Sequence, residues 1–215
     1  MAKNILFLDF NGVLSQKPFW FSLSRPSHPL HHYLVPLETY LFGQNIDIVK
    51  KWMKGGYTSE QVVKIVADAI DAPYAQLLRQ FIIDAVNLDV SVSILKNILI
   101  LKKEYIVVLM TDNMDSFGRF TLPAHAQISE TFDEIFVSCE QKVFKTEENC
   151  AAFESIIAKY GAVKENCILL DDSVRNCTAF EVFGGQAVIV KGVAQTNKQL
   201  KKIIKNTEQK WQWQI

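Results

Sequence analysis

Cysteines are few in this sequence and stand in no pattern that would make them ligands or bridges. Cys139, Cys150, Cys167 and Cys177 contain no C-x-x-C pair or other zinc-like spacing, which argues against a zinc module or a disulfide framework and leaves buried free thiols in a reducing compartment. Long apolar runs are also missing. The run from Ile5 stops at Asp9, and Ile98 to Leu101 is cut by Lys102 and Lys103, so neither a signal-peptide core nor a membrane span is expected, and the reading is of a soluble cytoplasmic protein. Net charge is absent too, with 23 basic residues against 23 acidic ones. No global field then favours nucleic acid or an anionic membrane, and a small molecule is the expected partner.

What is present is an ordinary globular composition, 49% apolar and 21% charged over 215 residues. That length suits one domain, or a core with an inserted subdomain, and buries a sizeable hydrophobic centre. The stretch Ile5-Leu6-Phe7-Leu8-Asp9-Phe10-Asn11-Gly12 organises the rest. Four consecutive apolar residues predict a short strand buried on both faces, ended by the first charge, Asp9. Gly12 permits a tight turn and close approach of a ligand, so a carboxylate stands at the C-terminal end of a strand, where open α/β sheets bind ligands.

Beyond this strand, Phe19 to Phe21 and a loop with His28, His31 and His32 form an aromatic and histidine-rich patch. With no carboxylate or cysteine nearby in sequence, a surface or lining segment is a better reading than a metal site. From about Leu34 to Asn87 the pattern is helical. Ile46, Val49 and Met53 mark one helix, stopped by Gly55-Gly56; Thr58 with Gln61 has capping-box spacing and starts a second; Asp71 and Pro73 open a third containing Leu77, Leu78, Phe81 and Ile82.

Helices are predicted at Ser91 to Lys103, at Glu147 to Tyr160 with Gly161 as C-cap, and from after Asp171-Asp172-Ser173 to Gly184-Gly185. They alternate with strands at Tyr105 to Met110, Glu134 to Val137, Cys167 to Leu170 and Ala187 to Val190. Alternation of this kind implies a parallel sheet with helices on both faces, and right-handed crossovers place the strand C-termini on one rim. The tail from Lys191 carries six lysines and one acid, Glu208, and reads as a solvated helix. Trp211 and Trp213 within it suggest packing on the domain or a partner.

The rim gathers Asp9, Thr111, Asp171 and Asp172 from three strand ends, with Lys145 between the third and fourth strands. Clustered carboxylates repel and call for a cation, and hard oxygen ligands suit Mg²⁺. In order along the chain, LFLDFNGVL, VVLMT, Lys145 in VFKTEE, and ILLDDS resemble the four motifs of the haloacid dehalogenase (HAD) superfamily of hydrolases. The resemblance implies a Rossmann-like α/β core formed by residues 1–16 and 91–215, with an inserted α-helical cap at residues 17–90.

It further implies that Asp9 is a nucleophile forming an aspartyl-phosphate, that Thr111 binds phosphoryl oxygens, and that Lys145 offsets the charge of phosphate and nucleophile. Mg²⁺ would be held by Asp9, by the backbone carbonyl of Asn11 and by Asp172 directly, with Asp171 reaching the metal through water or holding another ligand. Asn113 is a candidate substrate contact or a turn residue. Asn176 falls where some relatives carry a second acid, and Lys142 is a rival to Lys145. Asp112, Asp115 and Arg119 are candidates for shaping the entrance, with Arg119 or Arg25 able to meet an anion.

The departure from the family pattern is Asn11, where phosphatases of this kind usually carry the aspartate that protonates the leaving oxygen and then activates water. An amide does neither, at a cost of about 10² to 10⁴ in rate. Three readings follow: a phosphohydrolase of a small phosphorylated metabolite, attenuated by Asn11; a phospho-ligand-binding or regulatory protein without turnover; and a 2-haloacid dehalogenase acting through Asp9.

Overall fold

A computed structural model describes residues 3–212. Strand β1 (Lys3–Leu8) leads into an irregular segment and the helices α1 (Leu34–Glu38), α2 (Ile46–Met53), α3 (Ser59–Ala69), α4 (Tyr74–Val86) and α5 (Val92–Leu101). There follow β2 (Tyr105–Thr111), α6 (Leu122–Ala124), α7 (Ala126–Thr131), β3 (Glu134–Val137) and α8 (Ser138–Gln141). The chain closes with α9 (Glu147–Tyr160), β4 (Ala162–Asp171), α10 (Val174–Phe183), β5 (Gln186–Ile189) and α11 (Val193–Gln212). Trp213 and the side chain of Trp211 lie outside the described residues.

The five strands form one parallel sheet in the order β3-β2-β1-β4-β5. The fold is Rossmann-like α/β, because parallel pairing requires crossovers and these put helices on both faces. Ile5, Leu6, Phe7 and Leu8 are all fully buried, as a central strand demands. Leu6 and Leu8 join Leu109 and residues of α5 and α11 on one face; Ile5 and Phe7 join Met110 and residues of α9 and α10 on the other. On that second face Phe7 meets Phe153 edge-on, with ring centroids 4.9 Å apart.

The helices between β1 and β2 enclose a second apolar cluster around Trp20, Trp52, Val62, Leu77 and Phe81. Thr58 and Gln61 form the full capping box, side chain to backbone in both directions. In α2 the buried residues are Val49 and Trp52, whereas Ile46 stays exposed. The inward face is therefore set by Trp52, whose large ring claims the interior position, rather than by an Ile46, Val49 and Met53 stripe.

Two further boundaries differ from expectation. Strand β4 starts at Ala162, five residues before the apolar run, because backbone pairing with Lys3 extends it through the polar Lys164 to Asn166 segment. Inside α9, Glu148, Asn149 and Cys150 adopt left-handed backbone angles, so the regular helix begins only after them.

Candidate functional site

Register fixes the site. Leu8 pairs with Leu109 of β2 and Leu170 of β4, so Asp9, one residue on, stands level with Asp171, and its backbone N–H donates to the Leu170 carbonyl at 3.0 Å. This is the centre of the sheet, where the chain turns from one side to the other and where α/β sheets open a crevice at the strand C-termini.

Lys145 reaches this point from the loop before α9. Its backbone N–H donates to Asp112 Oδ1 at 2.9 Å, which anchors the loop to the end of β2. Its Nζ donates to the Met110 carbonyl at 3.1 Å and lies 3.1 Å from Asp9 Oδ1 and 2.6 Å from Asp171 Oδ2. The lysine is fully buried, a state an ammonium tolerates only with such partners. Burial opposes its charge, yet Asp9 and Asp171 together hold its pKa above the ordinary value. Lys142, by contrast, points away as an exposed residue with a left-handed backbone.

The carboxylates of Asp9, Asp171 and Asp172 each place an oxygen within 4.8 Å of the others. Burial pushes Asp9 up to about 7, with Lys145 pulling it down and Asp171 pushing it further up. Burial also raises Asp172. With Asp9 and Asp172 both pushed toward the neutral form, a divalent cation fits here: three hard oxygens converge, with the Lys145 ammonium between Asp9 and Asp171 and Lys191 Nζ bound to the Asp172 backbone carbonyl at 2.6 Å.

The loop from Asp9 to Ser15 contributes further. Gly12 has φ +72°, and a Cβ there would collide with the Asp172 carboxylate, so the backbone itself forms one wall of the acidic cluster. Among the described residues no hydrogen bond engages the Asn11 carbonyl, leaving it available as the fourth oxygen. Asn176 does not join the cluster as an acid would; its Nδ2 donates to both oxygens of Asp171 at 3.3 Å and steadies that side chain.

Thr111 is fully buried at the end of β2, and among the described residues its Oγ1 has no hydrogen-bond partner. Buried hydroxyls are nearly always paired, so an orphan at the end of a central strand is a donor suited to a ligand's acceptor. Asn113 is buried as well: its N–H donates to Ser138 Oγ at 2.9 Å, and its Oδ1 accepts from the Met114 N–H at 3.1 Å. It is a turn residue by its bonds, and it also lines, with Asn11, a small cavity under the helical insert.

Other expectations need correction. Arg119 is not free to meet an anion. It donates to Glu60 at 2.6 Å and to Asp115 at 2.7 Å, and its hydrogen bonds hold Glu60 down at about 2. Asp115 does not line the entrance either. It accepts from Trp52 Nε1 at 2.8 Å and from the Ser59 N–H and Oγ at 3.1 and 2.6 Å. Although burial opposes it, these bonds keep Asp115 below its usual pKa.

Asp115 is thus the hub joining the helical insert to the core, a role with no local sequence signature. The joint is extended by Ser138 Oγ donating to the Met53 carbonyl at 2.7 Å and by the Lys54–Glu147 pair at 2.8 Å. Two histidines of the loop, His28 and His31, are held by structural hydrogen bonds. His28 bonds Gln80 and the Leu30 N–H, His31 the Leu23 carbonyl, and the only acidic or histidine cluster of metal-binding geometry among the described residues is Asp9, Asp171 and Asp172.

Solved structures of the same architecture include a HAD family enzyme from Bacteroides thetaiotaomicron, 18% identical with TM-score 0.69, spanning 88% of this chain and 94% of that one. The chain has the HAD-like fold. A HAD-like family hydrolase from Porphyromonas gingivalis, 16% identical, gives a TM-score of 0.67 over 89% of this chain and 93% of its own. A haloacid dehalogenase-like family hydrolase from Xanthomonas campestris, 13% identical, gives 0.64 over 94% and 95%.

The Bacteroides HAD enzyme has been solved in complex with magnesium and inorganic phosphate. A dehalogenase, 11% identical, shares the HAD-like fold at TM-score 0.60 over 87% of this chain and 84% of its own. No family model and no curated protein matches the sequence. Among the described residues no helix is long and apolar enough to cross a membrane.

Proposed function

We propose that the protein is a Mg²⁺-dependent phosphohydrolase of small phosphorylated metabolites in which Asp9 is the nucleophile. The observation that carries this reading is the buried Lys145 ammonium between Asp9 and Asp171, beside the unpartnered Thr111 hydroxyl. A buried cation, a strand-end carboxylate and a waiting donor are what phosphoryl transfer asks of a protein, since positioning and charge neutralisation dominate that reaction.

In the first step an Asp9 carboxylate oxygen attacks phosphorus in line, and the bond to the leaving oxygen breaks with its electron pair. Thr111 donates to a phosphoryl oxygen and Lys145 balances the charge of Asp9. Water then attacks phosphorus and returns Asp9 to a carboxylate. Asp9, Asp172, Asp171 and the Asn11 carbonyl are the groups that would hold Mg²⁺, which supplies neutralisation of the phosphoryl charge when bound. The helical insert over the rim limits access of bulk solvent and restricts the substrate to a small molecule rather than a nucleic acid or membrane.

Incubation with Mg²⁺ and a panel of phosphate esters and acyl phosphates tests this reading. Phosphate release with a phosphoryl adduct on Asp9, both lost in Asp9→Asn, is the expected result; neither turnover nor adduct with any compound would overturn it. Asn11 favours one second reading, a phospho-ligand-binding or regulatory protein. Its signature is a thermal shift with phosphate compounds and no turnover, unchanged in Asn11→Asp. Release of halide from 2-haloacids would instead identify a dehalogenase.

A further inference from the structure

The cavity beside the rim limits the leaving group in both proton supply and size. Asn11 and Asn113 of the core face Lys17, Trp20 and Asp84 of the insert across about 10 Å³ of free space, room for one water molecule. Among the described residues around it, no free carboxylic acid faces the space. Asn11 is an amide. Asp84 is committed as an acceptor, from the Ser22 N–H at 2.9 Å, Ser22 Oγ at 2.8 Å and Gln80 Nε2 at 2.9 Å. Lys17 Nζ is bound to the Asn87 carbonyl at 3.2 Å and sits 4.2 Å from the Phe21 ring centroid. The Thr121 hydroxyl donates to the Ala85 carbonyl at 2.9 Å. Widening the cavity means displacing the insert, which Asp115 ties to the core through Trp52, Ser59 and Arg119.

We propose that small acyl phosphates are the phosphoryl donors to Asp9 and that phospho-Asp9 is the long-lived form of the protein. The proposal rests on the phosphohydrolase reading above. When the Asp9 carboxylate attacks the phosphorus of an acyl phosphate, the bond from phosphorus to the acyl oxygen breaks and its electron pair leaves on a carboxylate, which is stable without a proton. An alkoxide would need one. The bond formed on Asp9 is again an acyl phosphate, so the exchange is near balance. Release is the slow half: water attacks phosphorus, the Asp9 oxygen departs as carboxylate, and the water proton must pass to solvent or phosphate because Asn11 cannot take it.

Three probes decide the matter in the presence of Mg²⁺: acetyl phosphate, methyl phosphate as an ester of similar bulk, and benzoyl phosphate as a large acyl donor. Each is assayed on the native protein, Asn11→Asp and Asp9→Asn, by phosphate release and by intact-mass detection of the phosphoryl adduct. Acetyl phosphate should load Asp9 in a burst followed by slower release. Its kcat/KM advantage over methyl phosphate should shrink by about 10² to 10⁴ in Asn11→Asp, a ratio that cancels the intrinsic reactivity of the two donors. Benzoyl phosphate should be poorer than acetyl phosphate by roughly 10-fold or more.

An acetyl-to-methyl ratio equal in the native protein and Asn11→Asp, or benzoyl phosphate matching acetyl phosphate on the native protein, would overturn the donor assignment while leaving the phosphohydrolase reading intact. Release without an accumulating adduct would overturn the long-lived intermediate. No adduct and no release from any probe would overturn the underlying reading and this inference together.

Discussion

Lys145 Nζ stands 2.6 Å from Asp171 Oδ2, with both side chains withdrawn from solvent. Deleting one partner of such a pair leaves an uncompensated buried charge, a loss of about 3–5 kcal/mol. Lys145→Met should therefore lower the urea midpoint strongly in metal-free buffer and abolish turnover. Mg²⁺ should restore part of the stability, because a cation among Asp9, Asp171 and Asp172 replaces the missing positive charge. A variant as stable as the native protein in metal-free urea titrations would refute this account of the rim.

Asp9 makes stability depend on pH in an unusual direction. Burial raises its pKa from 3.8 to about 7 in the fold. Between those values the folded protein keeps a proton that the unfolded chain has lost, so metal-free stability falls as pH rises through the interval and levels off above it. Mg²⁺ competes with that proton. Its thermal stabilisation should be larger at pH 8 than at pH 5.5, and Asp9→Asn should flatten the metal-free pH profile between 4 and 7. Thermal melts across pH, with and without Mg²⁺, measure both effects.

Much of this site was readable in the chain because strand ends are written locally. An apolar run that stops at a carboxylate placed Asp9 and Asp171 at the ends of β1 and β4, and parallel order brought them level. Thr111, Asp172 and Lys145 followed from the same logic and the family resemblance. The Asp115 hub did not, since its partners Trp52 and Ser59 lie 63 and 56 residues away in sequence. Arg119 looked free for the same reason: charge patterning shows that a cation exists, and only the fold shows Glu60 opposite it. The polar start of β4 carries no side-chain pattern because its pairing is backbone to backbone.

Gly12 should prove intolerant of a single methyl group. Its φ of +72° disfavours alanine, and the added Cβ would press on the Asp172 carboxylate. Gly12→Ala should then weaken Mg²⁺ binding by calorimetry more than it lowers metal-free stability, because the displaced side chain is a proposed metal ligand. Equal Mg²⁺ affinity in the two proteins would contradict this placement.

Asp115 accepts four hydrogen bonds from three side chains and one backbone amide of the insert and the neighbouring helix. Asp115→Ala strands these donors, at a cost of about 1–3 kcal/mol for each group left unsatisfied in the interior. Insert and core should loosen against each other. Faster amide exchange in α2 and α3, with β1 and β2 still protected, would report that motion. Uniform exchange across the chain would show a global loss of stability instead.

Thr111 separates a structural role from a functional one. Its Oγ1 is buried with no partner among the described residues, so replacing it by a methyl group removes an unmet hydroxyl and leaves the shape intact. Thr111→Val should be as stable as the native protein or slightly more so, since deleting an unsatisfied polar atom recovers its desolvation cost. If the hydroxyl awaits a phosphoryl oxygen, the same substitution removes a positioned donor and should lower phosphoryl transfer by about 10² to 10³. Thr111→Ser, which keeps the donor, should recover most of that loss. Stability lost in parallel with activity in Thr111→Val would mean that the hydroxyl serves the fold rather than the ligand.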